Sequence, residues 1–319
     1  MSIHNEMLQW IRLAVESVLN QSFSDFELIT VCDCPEYADA ISYIEGIAAK
    51  DPRVKVIVNE RILGPTKSFN IAINASSGKY IARMDADDIA VRERFEMQVD
   101  FLDGHQDISV CATDTHTINE HGEIIRRNRY RKKRAQVLNV ILNSMAHPSV
   151  MFRRQLLELR KPLYNEDFIY SQDYELWQFL ILQGEHFHTL ETPLLLYRKS
   201  CRQISCAKRR TQVDLFKKAH RSFITTWLIS RNIVDKADIY DLKTMLSKAS
   251  KAFRHISGED KEYLAHIIYV LYFSLGTYSW IYRFRYLVDC NLIMSHVRFI
   301  YTFRLLVSSR TRRDRTGFN

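Results

Sequence analysis

The sequence predicts an α/β fold, a mainly parallel sheet flanked by helices and followed by a helical C-terminal extension. Helix-like and strand-like segments alternate up to about residue 90. An acidic cluster, Asp85-Ala86-Asp87-Asp88, follows an apolar run, at the strand end where open α/β sheets hold ligands. Charge is also segregated: the net is about −6 over residues 1–100, about +1 over 101–200 and about +13 over 201–319.

The elements follow in chain order. Residues Met7 to Asn20 carry Ile11, Ala14, Val15, Val18 and Leu19 at helical spacing, and Phe26 to Val31 is a short apolar strand ending near Asp33. Tyr37 to Ala49 reads as a second helix, Val54 to Val58 as a second strand, and Thr66 to Ser76 as a third helix closed by Gly78 as a C-cap glycine. Tyr80 to Met84 is the strand that delivers the carboxylates. Beyond residue 90 the spacing predicts a helix over Glu93 to Leu102, a strand over Ile108 to Ala112, and a hairpin over Thr115 to Ile125 turning on Asn119, Gly122 and Glu123. A last helix runs from Asp173 to Leu182, with Asp173 at the end where the helix dipole favours a carboxylate. Capping alone would also explain Asp173.

At 319 residues with 46% hydrophobic side chains, the chain can bury a large core. Cysteines at 32, 34, 111, 201, 206 and 290 lack the paired spacing of a zinc site and read as reduced thiols. Met1 to Gln9 has neither the basic start nor the apolar stretch of a secretory leader, so a cytoplasmic location is expected. Tyr263 to Tyr282 lacks Lys, Arg, Asp and Glu and reaches the roughly 20 residues of a spanning helix. Its His266, Ser274, Gly276, Thr277, Ser279 and four tyrosines favour a buried or interfacial helix instead. Arg283, Arg285, Arg298, Arg304, Arg310, Arg312, Arg313 and Arg315, interleaved with aromatics, suit an anionic membrane surface; a solvated basic tail is the open alternative. The run Arg126, Arg127, Arg129, Arg131, Lys132, Lys133, Arg134 is an anion-binding or a solvated loop. No recognition helix or zinc module accompanies it, so nucleic acid is not expected as a partner.

Clustered carboxylates at a strand end suit a hard divalent cation, Mg²⁺ or Mn²⁺, which bridges carboxylate and phosphate oxygens. Asp33 and Asp85 to Asp88 occupy equivalent strand ends, so a single site between them is expected. For Asp33 alone, a helix N-cap role is an equal reading.

These residues converge on a family. Ala14 to Ile29, Gly64 to Asn70, Gly78-Lys-Tyr-Ile-Ala-Arg-Met-Asp-Ala-Asp-Asp, His147-Pro-Ser-Val-Met-Phe-Arg, Asp173-Tyr-Glu-Leu-Trp and Tyr197-Arg with Gln203-Ile-Ser resemble family 2 glycosyltransferases, in the order and spacing of that family. The likeness covers residues 1 to about 206 and is strongest to bacterial members that build lipopolysaccharide, O-antigen or capsule chains. It implies a GT-A, Rossmann-like fold over 1–206; beyond it, residues 207–319 are expected from their own composition to form a helical, basic and aromatic region, which places the protein peripherally at the inner face of the plasma membrane. It implies an inverting, metal-dependent transfer of a hexose or N-acetylhexosamine from a UDP-sugar to a saccharide acceptor, expected to be lipid-linked.

In that resemblance Asp33 accepts from the uracil ring, and Asp85 approaches the ribose and sugar. Asp87 closes the family's Asp-x-Asp element and ligates Mn²⁺ or Mg²⁺ together with Asp85. Asp88 stands behind them, Lys67 reaches the diphosphate or base, and Asp173 is the general base. His4 lies beside the nucleotide. The chain departs from the family pattern at its start, Met1-Ser-Ile-His-Asn, where most of the first apolar strand is missing and Ser2 and His4 replace proline and tyrosine. Gln172 replaces the glutamate before the base, and Ser200 stands where many members carry histidine. Two other readings remain: an inactive remnant that binds a nucleotide sugar, and a nucleic-acid-binding protein resting on the basic runs.

Overall fold

The computed structural model describes residues 1–128, 145–200 and 208–268, except 259, 262 and 266. The first strands form where apolar runs alternate with amphipathic helices. Strand β1 (Ser2–Ile3) pairs in parallel with β2 (Leu28–Cys32), which pairs in parallel with β3 (Val54–Val58). Every residue of β2 is buried, as a central parallel strand covered on both faces requires. Helix α1 (Leu8–Leu19) lays Trp10, Ile11, Ala14, Val15 and Val18 into the core, at the i, i+3, i+4 spacing of one face. Each of its large apolar side chains contributes about 1.5–3 kcal/mol through burial. Helix α2 (Ala38–Ala48) adds Ala40 and Ile44 to the same cluster.

Helix α3 (Pro65–Ala75) begins with proline at its first position, behind Gly64. Gly64 has φ +88°, a backbone that side-chain-bearing residues rarely adopt. The helix ends at Ser76 in extended backbone, so the expected cap at Gly78 is not the one used. Gly78 instead donates its N–H to Glu27 Oε1 at 3.1 Å, alongside the N–H and Oγ of Ser77.

A second sheet follows, with strand order β4 (Tyr80–Ala82), β8 (Met151–Arg153), β6 (Ile108–Ile118), β9 (His186–Arg198), β5 (Ile89–Ala90), and β7 (Ile124–Asn128) on the outer part of β6. Among the described residues, only the β6–β9 pair is parallel in this sheet. The parallel character expected from the sequence thus resides in β1 to β3 and in β6–β9, and antiparallel strands complete the fold. A parallel bridge between Ser2 and Asp85 places β1 between β2 and the acidic segment. Strand β4 stops at Ala82, two residues short of the predicted end, and β6 runs six residues past the predicted Ala112. The predicted hairpin is present between β6 and β7, with Ile118 opposite Ile124 and Gly122 at φ +88°.

Helix α4 (Arg94–Gly104) is tied to the sheet by buried polar side chains. Gln98 Nε2 donates to the carbonyls of Cys111 and Ser149, and Arg94 Nη2 donates to those of Arg83 and Val150. Helix α5 (Gln172–Leu182) buries Tyr174, Leu176, Trp177, Leu180 and Ile181. Cys32, Cys34 and Cys111 are free thiols; the other cysteines lie outside the described residues.

Contacts divide the chain into Met1–Phe223 and Ile224–Asn319, and helix α6 (Arg209–Ser230) runs across the division. In the second unit Trp227, Leu228, Met245, Leu246, Ala249 and Leu264 are buried. Its helix α7 (Leu242–Ala252) is capped by Asp241, which accepts from the Lys243 N–H at 3.0 Å. Among the described residues no helix is long and apolar enough to cross a membrane. The expected apolar segment continues past residue 268, and all eight C-terminal arginines lie outside the described residues, as do Arg129 to Arg134.

Candidate active site

The bridge from Ser2 to Asp85 sets the frame of the site. Because β1 lies between β2 and Asp85, the chain leaves it at His4 with Asp33 on one side and the acidic cluster on the other. Asp33, 2% exposed, accepts from Asn59 Nδ2 at 2.8 Å and from the N–H groups of Leu63 and Gly64 at 2.8 and 2.9 Å. Its carboxylate therefore fixes the loop that opens α3. Lys67, in the first turn of that helix, lies 3.8 Å from Glu166 and is half-exposed. The backbone N–H of His4 donates to Glu6 Oε2 at 2.8 Å, and His4 Nδ1 is buried with no hydrogen-bond partner.

Asp85, Asp87 and Asp88 each turn a carboxylate oxygen into one cluster, all within 4.8 Å of one another. Burial, and then the charges of Asp85 and Glu6, push Asp87 up to about 7. Burial, and then Asp87 and Asp85, push Asp88 well above the carboxylate range. Asp88 is fully buried. Its Oδ1 accepts from the Arg198 N–H at 2.7 Å, while its Oδ2 has no hydrogen-bond partner. Desolvated carboxylates crowded together are costly unless a cation neutralises them. An all-oxygen anionic set with an orphaned buried oxygen fits a hard divalent ion, Mg²⁺ or Mn²⁺.

The carboxylate cluster has basic neighbours that the sequence did not single out. Arg83 Nη1 lies 2.5 Å from Asp85 Oδ2, and the guanidinium stands 4.8 Å above the Phe69 ring. Burial works against the Arg83 charge, but the Asp85 carboxylate outweighs it and its pKa is raised. Glu6 is raised by burial, with Asp85 adding to it.

Asp173 sits in the first turn of α5, where its Oδ1 accepts from the Tyr174 N–H at 2.8 Å. The buried Tyr164 phenol bonds His147 Nε2 at 2.7 Å, and its pKa is raised by burial, with Asp173 and Asp85 adding to it against Arg83. Asn70 of α3 holds the segment in place, donating to the Tyr164 carbonyl at 2.9 Å and accepting from its N–H at 3.0 Å. Glu6, Arg83, Tyr164 and Arg198 were not foreseen. The one available signal was that Arg83 and Tyr197-Arg198 fall inside segments already quoted for their family likeness.

Comparisons with known proteins bear on the family and the fold. The family model described as glycosyl transferase family 2 matches residues 1–160. An uncharacterised glycosyltransferase of Methanocaldococcus jannaschii is 35% identical over 201 residues, covering 62% of this chain and 69% of that protein. The O-antigen biosynthesis glycosyltransferase WbnJ of Escherichia coli is 33% identical over 176 residues, covering 53% of this chain and 65% of that one. In fold, the crystal structure of S. aureus TarS 1–349 in complex with UDP-GlcNAc superposes with a TM-score of 0.55 at 15% identity, covering 85% of this chain and 79% of that one.

Proposed function

This chain belongs to glycosyl transferase family 2, and on that premise we propose that it moves a hexose or N-acetylhexosamine from a UDP-sugar to a saccharide acceptor, with inversion at the anomeric carbon. The fold is GT-A and the protein is a glycosyltransferase. One observation carries the finer reading: Asp85, Asp87 and Asp88 bring carboxylate oxygens within 4.8 Å of one another just beyond β4, an anionic set suited to the divalent cation that accompanies a diphosphate leaving group. The likeness to an O-antigen enzyme and to a fold solved with UDP-GlcNAc supports a nucleotide-sugar donor and a place in cell-surface polysaccharide synthesis; a lipid-linked acceptor is the extension proposed with them.

The chemistry assigns roles to this chain's own groups. A sugar hydroxyl is a weak nucleophile, and Asp173 takes its proton as the new glycosidic bond forms and the bond from the anomeric carbon to the diphosphate breaks. Direct attack from the opposite face inverts the centre, and no second carboxylate nucleophile is needed. Asp87, Asp85 and Asp88 would hold Mg²⁺ or Mn²⁺, which when bound would supply neutralisation of the leaving diphosphate's charge. Arg83 orients Asp85, while Asp33 shapes the α3 loop beside the nucleotide, with His4 and Lys67 at its edges.

The decisive test is a screen of UDP-sugars with lipid-linked GlcNAc or GalNAc acceptors, run on the wild type and on Asp173→Asn. Transfer should vanish in the variant while calorimetry still shows UDP-sugar binding; transfer at the wild-type rate would remove Asp173 from its role. Excess EDTA should abolish wild-type transfer, and undiminished activity would defeat the metal assignment. Binding without turnover on any acceptor would favour the inactive-remnant reading.

A further inference from the structure

Arg198 is 1% exposed and stands at the end of β9, opposite Ile118 of β6. Its contacts converge on the acidic turn from one direction and on the β6–β7 hairpin from another. The backbone N–H donates to Asp88 Oδ1 at 2.7 Å, and Nε donates to the Asp87 carbonyl at 2.7 Å. Nη1 donates to the carbonyls of Asn119 and Glu120 at 2.9 and 3.1 Å. The guanidinium lies 5.0 Å over the Trp10 ring, and Trp10 Nε1 donates to the same Glu120 carbonyl at 3.2 Å. A lysine could not reproduce this, because its ammonium is a point charge and not a planar fork.

We propose that Arg198 is a positioning residue that clamps the Asp87–Asp88 turn between α1 and the Asn119–Glu123 hairpin, and so sets the affinity of the carboxylate cluster for a divalent cation. This rests on the reading of that cluster as a cation site. Groups that orient metal-binding carboxylates are worth about 10–100-fold in affinity when lost. The main-chain N–H of Arg198 occupies Asp88 Oδ1 and leaves Oδ2 unpaired, while the guanidinium holds the turn itself through the Asp87 carbonyl, and it is this side-chain bond that a substitution removes.

Mn²⁺ binding to the full-length protein, without donor or acceptor, is measured by electron paramagnetic resonance of free Mn²⁺ for the wild type and Arg198→Lys. Thermal unfolding of both proteins is recorded alongside. The expected result is wild-type binding weakened about 10–100-fold in the variant, with transfer at saturating Mn²⁺ recovering toward the wild-type rate. Equal Mn²⁺ affinity in a folded variant overturns the clamp. A wild type that binds no Mn²⁺ overturns the cation-site reading itself and the clamp with it. Should Arg198→Lys not fold, Trp10→Phe keeps a ring under the guanidinium and removes only the bond to the Glu120 carbonyl. It should weaken Mn²⁺ binding in the same direction, and unchanged affinity there counts against the proposal.

Discussion

His220 shows how one buried side chain can tie stability to pH. Its Nδ1 lies 2.6 Å from the Tyr174 hydroxyl, Phe216 stacks on Tyr174 at 3.8 Å between ring centroids, and burial depresses the imidazole to about 4. The folded state holds it neutral, whereas an unfolded histidine titrates near 6.5. Between those values the unfolded chain binds the extra proton, so stability rises with pH there. The contribution is complete above about pH 6.5 and is lost as pH falls toward about 4, on the order of 3 kcal/mol over the window. Urea unfolding of the wild type and His220→Phe at pH 7.5 and 4.5 checks this: the wild type should lose more stability on acidification than the variant. Residues of this kind were invisible in the sequence because their chemistry comes from distant neighbours. The three aspartates were legible because they fall within four consecutive residues. Arg83, Tyr164 and Arg198 acquire their roles only when β4, the 147–164 segment and β9 meet, and nothing in their local spacing announces that burial.

Helices α1 to α5 were legible as elements because a 3.6-residue apolar period survives inspection of a single chain. Strands β8 and β9 were not. Met151–Arg153 is only three residues long, and His186–Arg198 contains charged residues and Pro193, which argues against a strand. The sheet accommodates that proline with a register shift, Thr113 facing Leu190 and Asp114 facing Pro193. Gly78 misled for a related reason, since the capping pattern ignored the Glu27 carboxylate that collects the Ser77 and Gly78 N–H groups. The contact between α3 and the segment before α5 makes a prediction at this scale. Asn70 satisfies both backbone groups of Tyr164 from a buried position. Asn70→Ala leaves that N–H and carbonyl unpaired at a cost of about 1–3 kcal/mol for each group so orphaned. Thermal or urea unfolding should show the loss, and transfer should fall with UDP binding retained, because the affected segment leads into α5, whose first turn carries Asp173. An unchanged melting midpoint would mean that solvent replaces Asn70 there.

Across the whole molecule, charge is segregated along the sequence. The acidic first hundred residues hold the carboxylate site, while the excess of about +13 lies beyond residue 200. A lipid-linked acceptor would put the reaction at a membrane surface, and a basic, aromatic-rich C-terminal region is the part of the chain suited to an anionic leaflet. Each basic residue near such a surface contributes about 1 kcal/mol, and the attraction fades within a Debye length, about 8 Å at physiological salt. Full-length protein should therefore float with phosphatidylglycerol vesicles at low salt, stay behind with phosphatidylcholine vesicles, and detach as salt rises. Changing Arg310, Arg312, Arg313 and Arg315 together to glutamine removes four such terms and should weaken binding by about 100–1000-fold. Transfer to a water-soluble acceptor should be unaffected, since those residues stand far in sequence from Asp85 and Asp173. Binding to neutral vesicles as tight as to anionic ones would instead assign the attachment to apolar insertion. No binding to either would make the arginines a solvated tail and leave the acceptor to bring the enzyme to the membrane.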